Sequence, residues 1–287
     1  MGPNSAPRTH AREYGRTGLR TPPLPRADLE YHTAMGSKAI DPQSIRNVTL
    51  IGAPDDTARV AHRLLRRFGN PVRAAIGWPT DGVEHTVRIT ELSTDTPIAN
   101  LERSIRVADG LIAVVNATAT PAPRLRTMLR VADDHQVARL CLAIELGHPA
   151  ASFDRCIRMI TDTRGAVPLP LQLPLGTAPF AELADLLSMR PLKPPAAERH
   201  WALAEQAHRT LVRTVLDPAP ANSAALPEIP LGRLHHRIRV LTRLGEVVPV
   251  LCDTAARSAD LAAVLDTIVR YLPSPLDVCQ PEHALDY

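Results

Sequence analysis

The stretch Gly52-Ala53-Pro54-Asp55-Asp56-Thr57-Ala58-Arg59 has the frame of a phosphate-binding loop. A working loop of this kind reads G-x-x-x-x-G-K-[ST]. Its second glycine lets backbone amides face the phosphates, its lysine reaches the β- and γ-phosphates, and its hydroxyl binds Mg²⁺. Here Gly52 opens the frame, but its last three places hold Thr57, Ala58 and Arg59. The lysine position is therefore Ala58, the hydroxyl position is Arg59, and Asp56 adds a second negative charge beside Asp55. Losing the lysine and gaining an acid both disfavour a polyphosphate. Arg59 restores one positive charge but cannot ligate a metal ion.

Such a frame needs a strand before it and a helix after it, and the sequence supplies both. Val48, Leu50 and Ile51 make an apolar strand, and Val60, Ala61, Leu64 and Leu65 recur on one side of the helix that follows. Gly52 to Arg59 is then expected to be the turn between them. Thr86 to Thr90 alternates as a strand does, and a helix is expected over about 100–108. Leu111 to Val115 is a continuous apolar run, as in a parallel strand covered on both faces. Pro121 and Pro123 introduce a helix with Leu125, Met128, Leu129 and Ala132 on one side. Leu140 to Ile144 reads as another buried strand, and Phe153 to Thr163 as a helix closed by Gly165. Residues 166 to about 245 interrupt this rhythm with a Pro-rich extended stretch, a helix over 196–216, a Pro/Ala/Ser linker at 217–227 and a basic helix near 232–243. They read as an inserted α+β subdomain. Val247 to Leu251 and the helix carrying Leu261, Val264, Leu265 and Ile268 resume the alternation. The fold class is α/β: a doubly wound, mainly parallel sheet of the type that carries such loops, with strands near 47–52, 86–91, 111–116, 139–144 and 247–252.

Composition sets the outer bounds. With 287 residues, 45% hydrophobic and 22% charged, the chain can form one large domain. No apolar run approaches the ~20 residues of a membrane span and no hydrophobic signal core is present, so the reading is a cytoplasmic protein without membrane partners. Cys141, Cys156, Cys252 and Cys279 form no C-x-x-C pair and read as three buried thiols and one in the tail. The formal net charge of +3 arises in residues 1–40, which hold six cations against three acids, so the folded part is neutral and sequence-specific nucleic-acid binding is not expected. Residues 1–44, with six Pro and five Arg, read as a disordered tail, within which Met35 is an alternative start; residues 279–287 read as a C-terminal tail. His235 and His236, on a helix with Arg233, Arg237 and Arg239, read as an exposed basic face rather than a metal site.

From Ile45 to Val278 the chain resembles the G domain of translation elongation factor G. The stretches that carry the likeness are I-R-N-V at 45–48, L-E-R-S-I-R-V-A-D-G at 101–110, A-R-L-C at 138–141 and F-D-R-C-I-R-M-I at 153–160. V-P-L-P-L-Q-L-P-L-G ending at Gly176, G-E-V-V-P-V-L-C at 245–252 and Y-L-P-S-P-L-D-V at 271–278 complete them. The last marks the exit from the G domain in that family. The resemblance implies GTP and Mg²⁺ as the family's ligands and an extra subdomain between the base-reading loop and the last strand, here shortened around Arg190 to Ala196.

The same resemblance implies that most of the chemistry is gone. The spacing from Gly69 to His85 is too short for the effector loop, which reads as deleted. The D-T-P-G-H motif falls either on Thr90, Ser93 and Thr94, or on Asp95-Thr96-Pro97 followed by Ile98 and Ala99, and both registers lack the water-positioning histidine. The base-reading N-K-x-D falls on Ile144, Glu145, Leu146 and Gly147, and only Thr254-Ala255 survives of the fifth motif. Gly52, Asp55, Asp56, Thr57, Ala58, Arg59, Ile144, Gly147, Thr254 and Ala255 are thus read as a vestigial nucleotide site, with no catalytic or metal residue and no cofactor expected. Arg59 is expected to pair with Asp55, Asp56, Glu91 or Asp95, or to point into solvent. Two functions follow: a pseudo-GTPase that binds a protein or ribosomal partner, or a GTP-binding relative whose turnover is weak or partner-assisted. A decayed paralogue without function is a third reading, and translocation is not expected because the sequence carries none of the family's later domains.

Overall fold

Strand residues alternate between two helix layers, and that alternation organises the molecule. The structure is a computed structural model that describes residues 41–70, 74–120, 123–162, 167–189, 196–216, 229–254 and 258–278. The expected disordered tail at 1–44 is corrected at its end, where Pro42–Ser44 form a 3-10 turn capped by the Asp41 side chain and Ser44 is buried. Residues 1–40, the tail at 279–287 with Cys279, the linker at 217–227, the shortened stretch at 190–195 and Ala255 lie outside the described residues. In chain order the first half contains β1 (Ile45–Gly52), α1 (Pro54–Phe68), β2 (Gly69–Asn70), β3 (Ala75–Thr80), β4 (Val83–Ser93), α2 (Ile98–Arg106), β5 (Gly110–Asn116) and α3 (Pro123–Asp134). There follow β6 (Ala138–Ile144), α4 (Phe153–Thr161), β7 (Val167–Pro170), β8 (Gln172–Leu175), β9 (Glu182–Asp185) and α5 (Ala196–Val215). The last elements are α6 (Leu231–Arg243), β10 (Val247–Cys252), α7 (Ser258–Tyr271) and the short α8 (Pro275–Val278).

The eight-stranded sheet has the order β2-β3-β4-β1-β5-β6-β10-β7. From β4 to β7 every neighbouring pair is parallel. In β5, Leu111, Ala113 and Val115 pack with Leu101 and Ile105 of α2, Met128 of α3 and Cys156 of α4. Ile112 and Val114 pack on the opposite side, with Leu64 of α1, Leu211 of α5, Ile238 of α6 and Leu265 of α7. The strand period of two thus feeds two cores, which is why β5 and β6 are apolar almost throughout.

Two features add detail to the sequence reading. Between α1 and β4, where the short spacing reads as a deleted loop, β3 pairs antiparallel with β4 and extends the sheet, placing buried Ile76 opposite Val87. The turn between them is Asp81-Gly82, with φ of +52° and +80°, the left-handed pair that a two-residue hairpin requires. Phe68 meets Trp78 edge to face at 5.3 Å, and Trp78 Nε1 donates to Asp266 Oδ1 at 2.9 Å, so the hairpin is anchored to α1 and α7. The second feature is the segment expected to be an inserted subdomain. Its first strand, β7, pairs parallel with β10 in the main sheet, its β8–β9 hairpin is antiparallel, and α5 and α6 contribute to the same core as α1.

Cys141, Cys156 and Cys252 are buried free thiols. Burial pushes the Cys156 thiol up to about 12 and the other two well above the ordinary thiol range, so all three behave as small apolar side chains. Among the described residues no helix is long and apolar enough to cross a membrane.

Candidate functional site

In a parallel α/β sheet, ligands bind beyond the carboxyl ends of the strands. That edge is where the structure assembles the motif residues, since β1 ends at Gly52, β4 at Ser93, β5 at Asn116, β6 at Ile144 and β10 at Cys252.

The expected turn from Gly52 to Arg59 is not a turn. Only Ala53 lies between β1 and α1, and Asp55, Asp56, Thr57, Ala58 and Arg59 are helical. Pro54 explains the early start: its fixed φ suits the first helical position, where a backbone donor is not needed. Asp55 and Asp56 then sit in the first turn, where negative charge complements the helix dipole. The amides of Asp56 and Thr57 both donate to Ala53 O, at 3.1 and 3.0 Å, and the Thr57 hydroxyl turns back to Pro54 O at 3.0 Å. Gly52 is enclosed: a Cβ there would stand 2.8 Å from Val114 O and 3.3 Å from Thr57 Cγ2. Its own carbonyl accepts from the amide of buried Thr94 at 3.0 Å, so the third motif also packs onto this point.

Side chains of α1 then tie the helix to three strand ends. Buried Asp56 accepts from Asn116 Nδ2 at 3.2 Å, while Asn116 Oδ1 accepts from Thr118 N at 2.9 Å and Thr118 Oγ1 at 2.7 Å. Arg59 forms an ion pair with Glu145, which corrects the expectation of Asp55, Asp56, Glu91 or Asp95 as its partner. Asp56 is turned inward to Asn116, and Glu145, in the left-handed region at φ +59°, projects from the end of β6 toward the helix. One turn further along, Arg63 pairs with Asp253 through both terminal nitrogens, the second contact being 3.3 Å. The Asp253 side chain is 1% exposed, whereas the Arg59–Glu145 pair is half in solvent. Asp55 and Ala58 face outward.

The base-reading region is drawn together by backbone. Ile144 is buried and its carbonyl accepts from Ala117 N at 3.0 Å. A Cβ at Gly147 would lie 2.8 Å from Thr254 O, so the loops carrying the fourth and fifth motifs touch where a side chain at 147 would stand. Leu146 O accepts from Phe180 N at 3.0 Å, and Thr254 is held by Asp260, which accepts from its amide at 3.1 Å and its hydroxyl at 2.7 Å. Arg63, Asn116 and Asp253 are the residues that sequence reasoning missed. The spacing of Asp55, Asp56, Arg59 and Arg63 along one helix was a signal for them, once Pro54 is recognised as the helix start.

A mostly parallel sheet, helices on both faces and a β1–α1 junction below the motif residues define an α/β fold of the P-loop GTPase type. A crystal structure of a Thermus thermophilus protein superposes on it with a TM-score of 0.66 at 16% identity, covering 82% of this chain and 41% of that one, and so shares the fold. No protein-family model matches the chain. Elongation factor G of Ehrlichia ruminantium (strain Welgevonden) is 31% identical over 242 residues, 73% of this chain and 35% of its own length. Elongation factor G of Fervidobacterium nodosum is 30% identical over 237 residues, 71% of this chain and 34% of its own. By sequence the chain belongs to the elongation factor G family, as a translational GTPase-like protein, and it spans about a third of the length of these curated relatives.

Proposed function

We propose that this protein is a pseudo-GTPase: a cytoplasmic binding module for a protein or ribosomal partner that takes neither GTP nor Mg²⁺ as a cofactor. The observation that carries this reading is the one-residue connection between β1 and α1. A phosphate loop works by turning several backbone amides toward the ligand before the helix begins. Here those residues are already helical, and the dipole end of α1 is answered by Asp55 and Asp56.

Charge and space support the same reading. Asp55 and Asp56 place two negative charges at the amino end of α1, and Arg59 and Arg63 are already paired with Glu145 and Asp253, so neither is free for a polyphosphate. The hydroxyl of Thr57 is spent within its own helix, and Arg59 stands where the family's metal-binding hydroxyl would be. The contact of Gly147 with Thr254 O leaves no room for the carboxylate that accepts hydrogen bonds from guanine. Phosphoryl transfer depends on positioned cations and metal, so these residues do not fit Mg²⁺–GTP. The competing reading, a GTP-binding relative assisted by a partner, meets the same obstacles, because a partner's arginine supplies charge but not the guanine contact.

Titrating fluorescent GDP and GTP with Mg²⁺, alongside the adenine analogues, tests the proposal. No guanine-selective, Mg²⁺-dependent saturation is expected. A Kd of ~1 µM or tighter (about −8 kcal/mol) that needs both guanine and Mg²⁺ would overturn it.

A further inference from the structure

The amino ends of β1 and β4 carry a second site on the opposite edge of the sheet. A cavity of about 290 Å³ opens there, and its polar lining includes Arg46 of β1, Thr80 of β3, Asp81 of the β3–β4 turn, His85 of β4, Arg239 of α6 and Arg270 of α7, with His235 beside them. Arg46 is only 2% exposed. Its Nη1 donates to the carbonyls of Gln43 at 2.6 Å and Ile45 at 2.7 Å, and its Nη2 to Val269 O at 3.2 Å, while its buried Nε has no partner. Among the described residues no carboxylate forms an ion pair with it. The contrast with Arg139 is direct: that guanidinium is equally buried, but Asp133 accepts from it at 2.7 Å.

Two further lining residues carry a buried polar atom in the same position as Arg46 Nε. The hydroxyl of Thr80, a residue 7% exposed, has no hydrogen-bond partner, and neither has the buried Nδ1 of His85. A buried polar group left without a partner is costly, and a buried cation answered only by neutral carbonyls costs more. Three such atoms from three strands around one cavity point to a ligand rich in acceptors. The local charge agrees. Arg270 holds Asp81 through both carboxylate oxygens, at 2.9 and 3.1 Å, Asp277 serves Arg239 at 3.2 Å and Arg243 at 3.3 Å, and Asp109, which accepts from Asn47 Nδ2 at 2.6 Å, offsets part of the charge of Arg46. Burial and then the charge of Arg239 lower Arg46 to about 10; burial and then Arg46 lower His85, and burial and then Arg270 lower His235. Burial comes first in lowering both rings and the neighbouring cations second; the positive field of Arg46, Arg239 and Arg270, reduced by Asp81, Asp109 and Asp277, still attracts an anion. A metal ion is disfavoured by the same field, and among the described residues no His/Cys/Asp/Glu cluster could hold one.

We propose that this cavity binds the phosphoryl group of a small phosphorylated solute, independently of the motif residues at the other edge. Its volume is at the lower end for small-molecule sites, which suits a phosphate monoester or pyrophosphate better than a whole nucleotide.

The test is calorimetric titration and thermal melting of the whole chain in phosphate-free buffer, with inorganic phosphate and pyrophosphate as probes. Saturable 1:1 binding is expected, tighter for pyrophosphate, with a melting temperature that rises with probe concentration. Thr80→Val replaces an unpartnered buried hydroxyl by a methyl group of similar size, so the free protein keeps its melting temperature while affinity falls about tenfold. Arg239→Gln, at a partly exposed position, is expected to weaken binding at least as much, whereas Arg59→Ala at the opposite edge leaves it unchanged. Absence of 1:1 binding for both probes, or binding that Thr80→Val and Arg239→Gln leave intact, would overturn the proposal. So would binding of a phosphoserine peptide or an RNA oligomer while both small probes fail.

Discussion

The two edges of the sheet resolve their charge in opposite ways. At the carboxyl edge Arg59 and Arg63 of α1 each meet a carboxylate from a neighbouring strand end, Glu145 and Asp253 respectively, and the backbone itself closes on Gly52 and Gly147. At the amino edge Arg46 is buried with carbonyls alone, and Thr80 and His85 leave buried polar atoms without partners. A site that has turned its charges on itself has no further need of a ligand for stability, whereas one with unanswered donors gains stability from binding. The family's ligand edge is thus the self-sufficient one here, and the opposite edge holds the potential for recognition.

The comparison can be broken first at Arg63. Its partner Asp253 is almost wholly buried, so Arg63→Ala removes the ion-pair partner of a buried carboxylate and is expected to cost about 1–3 kcal/mol, read as a lower urea midpoint at unchanged slope. A loss within ~0.5 kcal/mol would mean that the carboxyl edge is not held together by its ion pairs.

Acid separates the edges next. His85 and His235 are held below the ordinary histidine value, first by burial and then by Arg46 and Arg270 respectively. The groups facing the two rings are Arg46 from β1, Asp81 from the β3–β4 turn, Asp185 from β9, His236 and Arg239 from α6, and Arg270 and Tyr271 from α7. A ring kept neutral in the folded chain takes up a proton more readily when unfolded. Stability is therefore full above about pH 6.5 and falls as the pH drops below that value toward the folded-state titration. Asp277 acts in a lower window. Burial tends to raise its carboxyl, but hydrogen bonds from Ser274 and the charges of Arg243 and Arg239 outweigh that, so its contribution is lost only below about pH 4. Melting curves between pH 8 and 5 should show the histidine loss, and pyrophosphate should diminish it. The smallest effect is expected for Arg59→Ala: this half-exposed pair contributes about 1 kcal/mol or less, and added salt should erase the difference.

What the sequence disclosed follows from how local each signal is. Leu111 to Val115 and Leu140 to Ile144 announce doubly covered strands because burial on both faces leaves no polar positions, and β5 and β6 lie there. The start of α1 was equally local, in Pro54 followed by two acids, yet the glycine frame drew attention to a loop instead. Asp81-Gly82 is likewise a local hairpin signal, and the β3–β4 turn lies there. Arg59 and Glu145 are far apart in the chain and meet only because α1 crosses the end of β6, so no spacing rule connects them. The amino-edge cavity draws on three strands and two helices, and of its residues only His235, His236 and Arg239 stood out as a cluster.

The central claim is that backbone, and not merely three altered side chains, closes the carboxyl edge. The triple variant Thr57→Gly, Ala58→Lys and Arg59→Thr restores the family's glycine, lysine and hydroxyl while leaving the one-residue β1–α1 connection and Gly147 in place. Its melting temperature without ligand and its affinity for fluorescent GTP with Mg²⁺ decide the matter. A lower melting temperature, from glycine in the first turns of α1 and loss of the Arg59–Glu145 pair, with no guanine-selective binding is the predicted result. Recovery of Mg²⁺-dependent, guanine-selective binding near ~1 µM would contradict it.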